Sequence, residues 1–398
     1  MRAVFQPKQG FKLFDCVVSR QAFSLDRCSK LREKIPSSNE EDRLDEGESS
    51  DSDDEISMRG KEDEAKEIEQ KTEVPADIPV PAGIVDISCH PKRNIIAAGL
   101  IDGSIVLHSY GVGNAGNKHL ISFDHHKQSC RTLCFSDSGE HLFTGAQDAI
   151  INVLDLETNS VCHKFTRVNG CPPYSMLSVD DYLLASGEDE GAVVLWDLRM
   201  QAPIHCFNHC EDFISSLVTN KEKKILLTTS GDGFLSTYNI RRNKLETQSE
   251  PYDSELLCAG IVKDGTKVVV GAGDGSLSFC NWGEFSFLTD KFLIHPGTID
   301  ALLVIEDDVI CTGCEDGKVR AVQLSPKRIL GYLGSHAGFT VERVRMCYEK
   351  LFIASSSYDE KIKFWDLSGI EELKMGEIKK KTSKLPCIGK ESFFSDLQ

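Results

Sequence analysis

The feature that most constrains this chain is a recurrence. Short turns built on an acid fall at Asp102, Asp148, Glu190, Asp232, Asp274, Asp316 and Asp359, separated by 46, 42, 42, 42, 42 and 43 residues. Gly follows Asp102, Glu190, Asp232, Asp274 and Asp316. An acid-Gly pair suits a two-residue hairpin turn, which asks for positive φ where Gly has no steric penalty. Each turn lies between two β-type runs, such as LLASG and AVVLWDL, or LFIASSS and KIKFWDL. Alternation and β-branched content favour strands over helices. Seven residues after each acid stands Ser109, Asp155, Asp197, Asn239, Asn281, Gln323 or Asp366. The slot before it holds His108, Leu154, Trp196, Tyr238, Cys280, Val322 or Trp365. Four residues before the acid stand Thr144, Ser186, Thr228, Thr312 and Ser355 in five of the units. An apolar strand such as RTLCF or IDALLV opens each unit. Four short strands every ~42 residues predict an all-β fold, a seven-bladed propeller.

Charge divides the 398 residues into four segments. Residues 1–38 are basic and poorly patterned, and are read as an extension without a folded role. Residues 39–76 form an acidic linker; NEEDRLDEGESSDSDDE buries too little apolar surface to offset its ordering entropy and is expected to be disordered. Residues 77–373 hold the propeller, and 374–398 a lysine-rich tail ending in SFFSDL. Net charge is −17 overall and −14 over residues 74–373. An acidic body disfavours extensive phosphate contact and favours basic protein partners. No secretory h-region and no apolar run of membrane-spanning length is apparent, so the 15 cysteines are read as reduced, intracellular thiols.

The units resemble the WD-repeat family, whose blades end in Trp-Asp; Trp196-Asp197 and Trp365-Asp366 match outright. In that family a His, a Ser or Thr, the turn Asp and the Trp form a hydrogen-bonded tetrad. The resemblance implies one at His336, Ser355, Asp359 and Trp365. It implies another at His209, Thr228 and Asp232, with Tyr238 in the Trp slot. His295, Thr312 and Asp316 are a third set, broken because Val322 cannot donate, and one of His125 and His126 takes the structural slot of the second unit. These residues would satisfy buried polar groups and lock register. The acidic Ser-containing segment, the divergent blades and the lysine tail are similar to a nucleolar branch of the family linked to ribosomal RNA production. Trp196-Asp197-Leu198-Arg199 also resembles the motif by which substrate receptors of cullin-type ubiquitin ligases dock their adaptor, although Arg follows Trp-Asp in many ordinary blades.

Catalytic chemistry finds little support. No G-x-S-x-G, P-loop or H-E-x-x-H is present. His205, Cys206, His209 and Cys210 straddle two blades, and Cys311 and Cys314 share one strand at a spacing that points them to opposite faces. The expectation is no catalytic residue, no metal and no cofactor. Binding is expected elsewhere. Asp189, Glu315 and Tyr358 precede turn acids on one face and suit a basic peptide, or are merely solvated. Ser50 and Ser52, each with an acid three residues on, suit acidophilic kinases, while Lys379, Lys380, Lys381 and Lys384 suit a nuclear or nucleolar address. The two phenylalanines of SFFSDL suggest a docking peptide or an end folded back on the ring. The expectation is a non-catalytic interaction scaffold of the nucleus and nucleolus, with the cytoplasm as a further location. It would act as a monomeric propeller within larger complexes, bound to basic or ribosome-assembly proteins, without extensive nucleic-acid contact and without a membrane. The alternative is a cullin-ligase substrate receptor.

Overall fold

The computed structural model describes residues 67–370 apart from 71, 114–115, 167–169, 201 and 288–289. Within them the chain forms seven antiparallel sheets of four strands each. Six are consecutive meanders: Ile84–Phe123, Cys130–Thr166, Pro173–Asn208, Ile214–Gln248, Leu256–Leu293 and Ile299–Ser335. The seventh combines three strands between Val341 and Asp366 with Ile78–Pro79, which pairs on the outer edge of Lys361–Asp366. The ring therefore closes on a strand borrowed from ahead of the first blade.

Each repeat folds the same way because its turn chemistry is local. The residue after the turn acid has positive φ in all seven units: Gly103, Ala149, Gly191, Gly233, Gly275, Gly317 and Glu360. Five are Gly, which meets no Cβ clash there; Ala149 and Glu360 hold the same shape at a steric cost. The acid folds back on its own turn. Its Oδ1 accepts the backbone N–H two residues on in six units, at 2.9 Å for Asp102 and Ser104 and 3.0 Å for Asp316 and Lys318. Glu190, one methylene longer, makes no such bond among the described residues.

Packing between blades supplies the core. Val193, Leu195 and Phe207 of the third blade share one apolar cluster with Ile214, Leu226 and Tyr238 of the fourth. The same interleaving joins the seventh blade to the first, through Phe352, Ala354 and Phe364 against Ile84, Ile96 and Tyr110. Innermost strands also bond to their neighbours. Leu133 N–H donates to Asp86 Oδ2 at 2.9 Å, and Ser215 Oγ donates to Leu256 O at 2.5 Å. Every innermost strand skips one residue in its pairing, at Val85, Arg131, Tyr174, Ser215, Leu257, Asp300 and Glu342. Such bulges re-aim side chains, here around the central axis.

The boundary drawn at residue 77 shifts. Residues 67–70 and 72–76, assigned from sequence to the acidic linker, form a strap across the outside of the ring. Ile68 is buried with Leu333, Trp365 and Ile370, and its N–H donates to Tyr332 O at 2.8 Å. Thr72 N–H donates to Asp366 Oδ2 at 3.0 Å, and Ala76 O accepts Asn117 Nδ2 at 2.6 Å. The strap holds because Ile68 is an apolar anchor inside a charged run, and the blade edges leave backbone groups for it.

Candidate functional site

The polar framework comes first, because it decides which residues are free for partners. In the seventh blade His336 Nδ1 lies 2.8 Å from Asp359 Oδ2 and Nε2 lies 2.7 Å from Ser355 Oγ, while Trp365 Nε1–H donates to the same Oγ at 2.7 Å. One arrangement satisfies all four groups: Trp donates to Ser, Ser to His Nε2, and His Nδ1–H to Asp. Burial, opposed by Asp359, lowers the His336 pKa and favours that neutral ring. In the second blade His126, not His125, takes the slot, 3.0 Å from Thr144 Oγ1 and 3.3 Å from Asp148 Oδ2.

The fourth blade departs from expectation. His209 is exposed, and its neighbour Cys210 occupies the buried slot, with Sγ 3.8 Å from Ser236 Oγ. Asp232 instead accepts the backbone N–H of Glu211 at 2.9 Å, and Thr228 and Tyr238 are fully buried, Tyr238 against Phe207. The tetrad inferred at His209, Thr228, Asp232 and Tyr238 is not assembled, because the His stands one residue too early. In the sixth blade Thr312 Oγ1 meets His295 Nε2 at 2.9 Å, but the buried Arg320 grips Asp316 with both terminal nitrogens, at 3.0 and 2.5 Å. In the third, Trp196 Nε1–H donates to Ser186 Oγ at 2.9 Å with no histidine involved.

Cys311 and Cys314 are fully buried in different apolar clusters, one shared with the seventh blade and the other with the fifth. Burial pushes the Cys314 thiol up to about 12. Among the described residues no three His, Cys, Asp or Glu side chains are grouped to hold a metal.

The antiparallel meander puts two sets of loops on one face: the acid turns, and the links from each outermost strand to the next blade. Residues 209–215, 231–234, 249–257, 272–275, 294–300, 314–317 and 336–342 belong to this face. These stretches, from the start of the fourth blade to the start of the seventh, contain eleven acids and no lysine or arginine, whereas the corresponding link between the first and second blades carries Lys127, and Asp274 and Asp316 are paired with Lys291 and Arg320. Glu211, Asp253 and Glu315 are exposed, as is Phe339, and Phe213 and Tyr252 are half-buried among them. Of the three candidates named from sequence, Glu315 is exposed, Tyr358 is half-buried with its ring against Gly83, and Asp189 is ion-paired to Arg131. Burial raises the Asp189 pKa against the pull of that arginine. Asp189 therefore anchors the rim of the axis rather than facing outward. The opposite face mixes acids with Lys92, Arg93, Lys223, Arg241, Arg242 and Lys263. A residue-by-residue reading misses this polarity, since it appears only when the topology sorts loops by face.

On that opposite side, Arg199 donates to Asp197 through Nε at 2.8 Å and Nη2 at 2.6 Å, and its guanidinium lies 5.3 Å from the centre of the Tyr182 ring. The Arg199 side chain is 69% exposed, and Tyr182 and Met200 beside it are exposed too. Trp196 is buried and serves the blade. Ser50 and Ser52, and Lys379, Lys380, Lys381 and Lys384, lie outside the described residues.

A closed ring of seven four-stranded blades, hydrogen-bonded through His, Ser or Thr, Asp and Trp, makes this a WD-repeat β-propeller. The WD40 propeller domain of Doa1, a crystal structure, superposes with a TM-score of 0.63 at 14% identity, covering 75% of this chain and 98% of that one. The WDR55 family profile matches residues 75–370. WD repeat-containing protein 55 of Homo sapiens is 36% identical over 296 residues, 74% of this chain and 77% of its own length. The Mus musculus protein is 35% identical over 306 residues, 77% and 79% of the two chains, and the Drosophila persimilis homologue 36% over 340 residues, 83% and 67%. The chain belongs to the WD repeat-containing protein 55 family.

Proposed function

We propose that this protein is a non-catalytic interaction scaffold whose acidic face receives lysine- and arginine-rich segments of partner proteins. One observation carries the reading: eleven acids without a lysine or arginine across the loops of this face from the start of the fourth blade to the start of the seventh. A potential of one sign steers oppositely charged partners and rejects like-charged ones, nucleic acid included. The exposed Phe339 and half-buried Phe213 and Tyr252 supply apolar and cation–π contacts to the same ligand. A closed ring holds these loops rigid, so binding carries little ordering cost.

We further infer that it works in the nucleolus in support of ribosomal RNA synthesis or processing, a reading that the lysine run at 379–384 supports as an address. Replacing Glu211, Asp253 and Glu315 by Gln, Asn and Gln tests the face. All three are exposed, so the fold should hold, while affinity for an oligo-lysine peptide at low salt should fall at least several-fold. Unchanged affinity would remove the acidic face from the binding account. Deleting residues 379–398 from a fluorescent fusion tests the address; the signal should leave the nucleolus.

A second reading, adaptor docking in a cullin-type ubiquitin ligase, is favoured by the patch at Tyr182, Arg199 and Met200. Tyr, Arg and Met are the side chains enriched at interface cores. Asp197 and Tyr182 pre-orient the guanidinium, so little entropy is lost on docking. Arg199→Ala should abolish adaptor pull-down and leave oligo-lysine binding unchanged; retained pull-down removes this reading alone.

A further inference from the structure

On the face opposite the acidic loops, lysines gather in two places: at Lys221, Lys223 and Lys224 of the fourth blade, and beside the fifth. Between the fifth and sixth blades, on the face opposite the acidic loops, Lys263, Lys267 and Lys327 line a recess of about 140 Å³ floored by Phe279 and Leu324. Two of the lysines are held in place. Lys263 Nζ lies 3.0 Å from Asp308 Oδ1 and also donates to Ser325 Oγ. Lys327 pairs with Asp290 and sits 4.9 Å from the Phe279 ring centre. Asp264 and Asp307 also stand beside Lys263, Asp307 Oδ1 accepting the Asp264 N–H at 3.1 Å, but Lys267 has no carboxylate partner among the described residues and is the ammonium group left for an outside anion.

The strap brings an occupant to this recess. Glu67 bridges Tyr332 in a parallel sense. Tyr332 belongs to the outermost strand of the sixth blade, Lys327–Ser335, whose first residue is a wall of the recess. A parallel approach means that the chain ahead of Glu67 arrives from the Lys327 end. The five residues from Lys327 to Tyr332 span about 17 Å. The twelve from Glu55 to Glu67 can extend to ~40 Å. Residues 51–64 carry seven acids and two basic residues. Tethered at this length, they stand at an effective concentration in the millimolar range, so even a weak ionic site fills.

We propose that the three-lysine recess is an intramolecular docking site for the chain's own acidic segment, residues 51–64. Docking there withdraws those carboxylates from basic partners and leaves the acidic face as the first point of capture. A partner that binds the segment must displace it from the lysines.

The test uses the full chain. An equal mixture of ¹⁵N-labelled and unlabelled protein is treated with a carbodiimide at low salt, and the zero-length crosslinks are mapped by mass spectrometry. The expected products join acids of residues 51–64 to Lys263, Lys267 or Lys327 within one chain, and disappear at ~0.5 M salt, where exposed charges are screened. Crosslinks running mainly to Lys379–Lys384, to other lysines, or between labelled and unlabelled chains would overturn the proposal. A second measurement is cleavage at Glu62 and Glu64 by a glutamate-specific protease. A Lys263→Gln, Lys267→Gln variant with unchanged melting temperature should be cut several-fold faster than the parent; equal rates would likewise overturn it.

Discussion

Trp365 shows how one side chain holds a blade. Its ring is 9% exposed, and its Nε1–H reaches Ser355 Oγ at 2.7 Å. The ring lies so close to Gly334 that a Cβ there would come within 2.0 Å of it. Trp365→Ala should lower stability by ~3–5 kcal/mol through the lost transfer energy and the cavity left behind. A urea-unfolding midpoint near that of the parent would contradict the role assigned to Trp365. A change of opposite sign is expected at Glu360, which holds φ 58° where five other turns have Gly. Glu360→Gly relieves a left-handed strain of ~1–2 kcal/mol and returns part of it as chain entropy in the unfolded state. The net should be a gain of ~0.5–1 kcal/mol; any loss would mean that the Glu360 side chain does more than its exposure suggests. The buried histidines make stability depend on pH. Burial, reinforced by Arg320, holds His295 at about 3, and burial also lowers His126 and His336. Above pH 6.5 these rings are neutral folded or unfolded. Below it the unfolded chain takes protons that the fold refuses, so stability falls progressively between pH 6.5 and 3. The urea midpoint should drop from pH 7 to pH 5.5, and a flat profile would contradict it.

At the scale of elements, the legible parts are those whose interactions stay within one repeat. The turn acid, the residue after it and the Trp slot lie within seven residues of one another, so their period writes the hairpins into the sequence directly. The strap was not legible, because Ile68 and Thr72 meet Tyr332 and Asp366 from 264 and 294 residues away, and their acidic surroundings read as linker. The framework departs from the sequence reading for smaller reasons. His209 stands one residue ahead of the slot that Cys210 fills, and in the sixth blade, whose set was read as broken at Val322, Arg320 additionally takes the turn carboxylate. Asp366 links the strap to its blade. Burial pushes its carboxyl up, but bonds from Ser368 and Thr72 outweigh that and hold it at about 2. The contribution of this junction is therefore present above pH ~4 and lost as pH falls toward 2. Asp366→Ala should speed hydrogen exchange at the Thr72 and Ile68 amides at neutral pH. Unchanged protection there would mean that Ile68 alone secures the strap.

At the scale of the whole molecule, the ring has a seam where the last blade meets the first, and Asp86 sits in it. Its carboxylate is 2% exposed and accepts N–H groups from Ile87 and Leu133, both at 2.9 Å. Across the seam it faces two guanidinium groups of the seventh blade, Arg343 Nε at 3.3 Å and Arg345 Nη2 at 3.4 Å. One side chain thus ties three consecutive innermost strands together. Removing a buried partner of this kind is costly, ~3–5 kcal/mol, since it strips the charge that both arginines share and leaves the Leu133 N–H without its acceptor. Asp86→Ala should therefore be among the most destabilising single changes in the chain. Closure also decides the form of the transition. In an open stack of repeats, damage at one end melts that end first. In a closed ring the seventh blade cannot leave without exposing edges on both neighbours. The Asp86→Ala protein should accordingly unfold in one cooperative step at a lower midpoint, by tryptophan fluorescence from Trp365 in the last blade and Trp196 in the third alike. Separate transitions for the two would mean that the seam is not what couples the blades.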